Sequence, residues 1–125
     1  MASKKILSPQ SVEVHYILPA VRRELAMDLK EMGLGQKEIA KKLSVTEAAV
    51  SQYVNDKRAC KVDFTASVKE EIMKSAERLK KDSVLVAETQ TLLKMIKSER
   101  ITCKVCNKEG NMPDSCEVCF KCGYI

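Results

Sequence analysis

Apolar residues recur at helical spacing through most of the first hundred positions. Ser8-Pro9 reads as a helix start, with Ser as N-cap and Pro at the first helical position. The helix expected over Gln10–Leu18 sets Val14, Ile17 and Leu18 on one side. Pro19 is expected to reset it. A second run, Pro19–Met32, places Val21, Leu25, Leu29 and Met32 on one face, with Gly33 closing it. Two shorter helices follow, Gln36–Leu43 and Glu47–Val54. Ser44-Val45-Thr46 separates them, and Thr46 is placed to cap the second. The polar Asn55-Asp56-Lys57-Arg58 ends that second helix. Residues 65–99 predict two more helices. Thr65 would cap the first, whose stripe is Val68, Ile72, Ala76 and Leu79. Lys80-Lys81-Asp82-Ser83 makes the break and offers a new cap. The last stripe is Val86, Leu92, Leu93 and Ile96, with Leu85 and Met95 beside it.

At about Ile101 the periodicity stops, and Cys, Gly and Pro take over. The fold class is therefore mainly α, followed by a small Cys-rich tail.

Composition changes this picture little. Only four Gly and three Pro interrupt 125 residues, so long helices are allowed. The net charge of +5 permits a polyanionic partner without requiring one. Its distribution is more telling. Residues 1–60 carry 10 basic and 7 acidic side chains, residues 61–100 carry 9 and 7, and residues 101–125 carry 3 and 3. Any pull on phosphate thus comes from the first hundred residues. No stretch approaches the roughly 20 apolar residues that span a bilayer. MASKKILSPQ lacks the apolar core of a signal peptide. A cytoplasmic location is expected, without a membrane partner. In that compartment six Cys point to metal rather than to disulfides.

The two short helices carry the strongest chemical signal. Ile39, Leu43, Val45, Val50 and Tyr53 are apolar where such a pair must be. Ala40 is small where the axes cross closely. Three linker residues suit a near-perpendicular turn, with Val45 plugging the corner. The other side of the second helix is short and polar, so it would fit a major groove about 12 Å wide. The stretch QKEIAKKLSVTEAAVSQYVNDKR resembles the XRE-type, lambda-repressor-like helix-turn-helix. LPAVRRELAMDLKEMGLGQKEIA is similar to a subgroup of small archaeal regulators of that type. The resemblance covers about residues 17–58. Ser44 departs from it, since the family usually has Gly at the turn.

The resemblance implies a sequence-specific transcription regulator that reads double-stranded DNA as a homodimer. Base-reading positions would be Glu47, Ala48, Ala49, Ser51 and Gln52. Gln52 would pair with adenine, and Glu47 would accept from a cytosine amino group. Gln36 would meet a phosphate, Thr46 is a further DNA-binding position, and Lys57 and Arg58 would clamp the backbone. For Lys37, Lys41 and Lys42 a solvated helix face is the simpler reading.

The tail reads Cys103-x2-Cys106-x9-Cys116-x2-Cys119-x2-Cys122. Two C-x2-C pairs this close are a strong metal signal. A tail with so little core would draw its folding free energy from the metal. Cys103-Lys-Val-Cys106 and Cys119-Phe-Lys-Cys122 resemble the two knuckles of a zinc ribbon, which makes Cys103, Cys106, Cys119 and Cys122 the ligands. Cys116 is the alternative ligand, because Cys116-x2-Cys119-x2-Cys122 is also iron–sulfur spacing. Zinc would be structural, whereas a cluster would sense redox state or oxygen. Cys60 reads as a small buried apolar residue, and His15, the lone His, as a packing or surface residue.

Three segments follow: a helix-turn-helix domain at 1–60, a helical linker or dimerisation segment at 61–100, and the metal tail at 101–125. Val68, Ile72, Leu79, Leu92, Leu93 and Ile96 are expected at the dimer contact. The competing function is a protein-interaction module that docks the transcription machinery through the helix pair and ribbon. An enzyme is not expected. No Ser-His-Asp set or phosphate loop is present, no small-molecule substrate is indicated, and an all-Cys zinc site is usually closed.

Overall fold

The structure is a computed structural model that describes residues 13–55 and 62–101. These residues are mainly helical, and no strand occurs among them. A π-helical turn, Glu13–Ile17, leads into α1 (Leu18–Glu31). Then come α2 (Gln36–Leu43), α3 (Glu47–Asn55), α4 (Ala66–Lys80) and α5 (Leu85–Ser98). The centre is α1, which packs against α2, α3 and α4, while α5 packs on α4. No helix among the described residues is long and apolar enough to cross a membrane.

Pro19 does not reset the chain as expected. It lies in the first turn of α1, and the helical backbone passes into it from Glu13–Ile17, with Ile17 itself at helical φ −72°, ψ −52°. The wider π turn before it gives the proline ring room that an α turn would deny. That turn also changes the phase of the stripe. Ile17 is fully buried, but Val14 is 57% exposed, and Glu13 takes the inward place. The Glu13 carboxylate meets Lys97 Nζ at 3.3 Å, so this buried charge is paired. His15 is exposed. Ser8, Pro9 and Val12 lie outside the described residues.

The stripe of α1 matches its spacing, with Val21, Leu25 and Leu29 buried. Gly33 ends it at φ +93°. Its N–H donates to Lys30 O, and Leu34 N–H donates to Leu29 O, which closes the helix end in a Schellman arrangement. Lys80 Nζ donates to Met32 O at 3.3 Å and ties the end of α4 to this corner.

Thr65 caps α4 as its position predicts, accepting from Val68 N. Ser83 does not cap α5. Val84 holds that position without a side-chain bond. Ser83 Oγ instead donates to Glu88 Oε2 at 2.7 Å. Glu88 also receives Arg78 Nε, 3.0 Å from each oxygen, and Arg78 in turn reaches Ser75. The Arg78 hydrogen bond is the main cause holding the Glu88 carboxyl below its ordinary range. Glu88 therefore occupies an inward position of α5. Leu85 turns toward the core with it, and Val86, expected inside, is 68% exposed.

A larger correction concerns the six apolar residues expected at a dimer contact. Val68, Ile72, Leu79, Leu92, Leu93 and Ile96 are all buried inside the single chain. They join Val21, Leu25, Leu29, Ile39 and Val50 in one cluster. The reason is geometric. The groove along α1 is left open by the short α2 and α3, and α4 fills it. Burying the stripe there costs no loss of translational freedom, which a second chain would have to offset.

One half-buried carboxylate, that of Asp28, opposes this fold. Burial first, then Glu24 and Glu31 nearby on α1, push the Asp28 pKa from 3.8 up to about 6. A raised folded-state value favours the protonated form. Its contribution is fully present below pH about 4 and lost as pH rises through about 6. Asp28→Asn should therefore raise the melting temperature at pH 7.5, and thermal melts should show that gain vanishing by pH 3.5. A gain of the same size at both pH values would contradict this.

Candidate nucleic-acid interface

The helix pair is built from below. Ile39, Ala40 and Leu43 of α2 and Val50 of α3 are buried, and both helices rest on α1. Ala40 provides the small crossing residue. Val45, partly buried, packs against the core at the corner, and Tyr53 and Val54 do so from α3.

The turn is specified twice over. Ser44 adopts φ 53°, ψ 41°, in the left-handed region. Val45 N–H donates to Ala40 O at 3.0 Å, and Ser44 N–H donates to Lys41 O. Ser therefore takes the conformation Gly would hold more easily, at a cost of roughly 1 kcal/mol. Thr46 Oγ1 accepts from Ala49 N at 3.1 Å and caps α3. Gln36 adds a strap not foreseen from its position. Its Nε2 donates to Glu47 O at 2.7 Å, joining the start of α2 to the start of α3.

What α3 turns outward follows from Val50 facing in. Glu47, Ala48 and Gln52 are exposed, while Ala49 and Ser51 are half-buried. Ala48, Gln52 and Asn55 stand four and three residues apart, so they form one stripe. Asn55 Nδ2 donates to Ser51 Oγ at 3.3 Å. Three of the five predicted reading positions are thus fully presented and two sit at the flank.

No protein-family model, curated protein or solved structure matches this chain. The stripe must be judged on its own chemistry. It offers two amides and a small side chain, with the Glu47 carboxylate in the first turn beside it and no bulky group to keep a duplex away.

A groove of about 220 Å³ runs beside it, lined by Lys30, Gly35, Gln36, Ser51 and Asn55 over an apolar floor that includes Ile39 and Val50. The N-terminus of α2 opens there, and its unpaired backbone N–H groups favour an anion. Lys30 and Asn55 escaped the sequence reading. Lys30 sits in the last turn of a different helix, and only the packing of α1 brings it near Gln36.

The lysines divide. Lys37 and Lys41 are exposed. Lys42 pairs with Asp82 of the α4–α5 turn, and that hydrogen bond holds the Asp82 carboxyl below its usual range. Lys42 is thereby a tie between α2 and the α4–α5 turn rather than part of a solvated face. Lys57, Arg58 and Cys60 lie outside the described residues, as do Cys103, Cys106, Cys116, Cys119 and Cys122. Among the described residues no group of three or more His, Cys, Asp or Glu is arranged for a metal.

Proposed function

We propose that the chain is a sequence-specific DNA-binding transcription regulator of the XRE-type helix-turn-helix class, reading the major groove with α3. One observation carries the reading. Ala48 and Gln52 of α3 are exposed, with Glu47 exposed in its first turn, while Val50, on the side opposite Ala48 and Gln52, is buried in the core cluster. A docking helix would more often present apolar anchors at this spacing. Gln52 reads a base edge, and Glu47 selects for a cytosine amino group and repels phosphate, which favours specificity over affinity. Gln36, Thr46 and Lys30 meet the backbone beside the groove, with Lys57 and Arg58 as further clamps.

A homodimer matches the two-fold half-sites such proteins read. Its contact lies elsewhere than the six core residues. Among the described residues, the large apolar side chains left exposed are Val14, Met73, Val84 and Val86.

Binding of the purified protein to a pool of mixed duplexes tests the reading. Affinity should fall by about tenfold or more between 50 and 200 mM salt as counterions are released. Salt-independent binding, or none, would favour protein docking instead.

The tail cysteines form a metal centre, and zinc on Cys103, Cys106, Cys119 and Cys122 is the preferred occupant. Protein purified without oxygen should be colourless and carry about one zinc per chain by elemental analysis. Brown protein containing iron and sulfide would bring in Cys116 and make the tail a redox sensor.

A further inference from the structure

A second cavity lies on the far side of the turn from the reading groove. It encloses about 140 Å³ between α1, the Ser44–Val45 corner and α5. Its floor is apolar and buried: Val21, Leu25 and Leu43. Its rim is polar, formed by Arg22, Ser44 and Thr89 from three separate elements. An apolar cavity of roughly 150 Å³ holds a benzene molecule without rearrangement. The volume therefore suits a ligand of one small ring or a short branched chain.

The charge of the rim narrows the class further. Arg23 pairs with Glu24 and Lys42 with Asp82. Arg22 has no hydrogen bond or ion pair among the described residues, although it is only partly exposed. A guanidinium fork beside an apolar pocket matches a carboxylate attached to a hydrocarbon body. Two hydroxyls stand by for the remaining lone pairs.

We infer that this cavity is a binding site for a small monocarboxylate with an apolar body, held by Arg22 at the rim and by Val21, Leu25 and Leu43 beneath. The site does not depend on the nucleic-acid reading. Its position against Ser44 and Val45 sets it directly behind the corner that fixes α2 and α3.

The test is an NMR titration of the full chain, labelled with nitrogen-15 and free of DNA, using benzoate as probe and benzamide as its neutral counterpart. Benzoate should give saturable shifts at the amides of Val21, Val45 and Thr89, with affinity in the millimolar range expected of so small a ligand. Benzamide should bind about tenfold more weakly, and Arg22→Gln should weaken benzoate by a similar factor, as loss of a charge-assisted contact implies. Arg22 is not a core residue, and the same spectra report whether the variant is folded. Thr89→Phe, which fills the rim, should abolish binding of both probes. Absence of saturable shifts at these amides would overturn the site. Equal binding of benzoate and benzamide, or full benzoate affinity in Arg22→Gln, would overturn the carboxylate assignment.

Discussion

Replacing Ile72 by Ala should cost about 2–5 kcal/mol, close to the limit of what a small domain withstands. Ile72 is fully buried on α4 and belongs to the cluster that also holds α1, α2 and α3. Its truncation removes transfer free energy and leaves a void between helices whose backbones are fixed by several neighbours. The melting temperature should drop on the order of 10–20 °C. The transition should remain single, because the cluster is shared by residues on both sides of position 60. The size of the drop should also be the same at every protein concentration, since the lost contact lies within one chain. Were this face a subunit contact instead, the drop would shrink on dilution, which would itself mimic the mutation. A change of only a degree or two would mean that α4 does not pack on α1 as described.

The second large effect is expected on DNA rather than on folding. Gln52 is exposed on α3 and has no role in the core. Gln52→Ala should leave the melt unchanged and cost roughly 1–3 kcal/mol on the preferred duplex. On unrelated duplexes the loss should be a few tenths of that, because phosphate contacts supply most non-specific binding. The discrimination should also relax at one base pair, the one facing this side chain. Equal losses on preferred and unrelated DNA would remove Gln52 from the reading set and leave it as a backbone contact.

Much of this arrangement was legible in the sequence, for identifiable reasons. Val21, Leu25 and Leu29 hold strict helical spacing, so the buried face of α1 followed directly. Gly33, Thr46 and Thr65 are stop and start signals whose mechanism is local, and each acts at its predicted place. The division of α3 into an anchored and a presented side followed from Val50 among short polar neighbours.

Most of the misreadings share a cause, which is that the decisive partner lies on another helix. Glu88 breaks the apolar pattern of α5, so the register expected there was set by Val86. Only Arg78, ten residues earlier, makes an inward Glu88 acceptable. The destination of the α4 and α5 stripes was equally invisible, since periodicity says that a face is buried but not against what. Pro19 misled for a local reason. A π turn is rare, and nothing in Glu13–Ile17 announces one. Lys30 and the Gln36 strap to Glu47 depend on the packing of α2 and α3 on α1.

The claim that joins these parts is that α3 reads base edges. Selection of duplexes from a fully randomised library by the intact protein addresses it most directly. A short enriched sequence should emerge and repeat with two-fold symmetry at a spacing near one helical turn. The same selection with Gln52→Ala should blur that sequence at the matching position of each half. A library that returns unenriched, or an enriched sequence that Gln52→Ala leaves untouched together with matching substitutions at Glu47 and Ala48, would contradict the account.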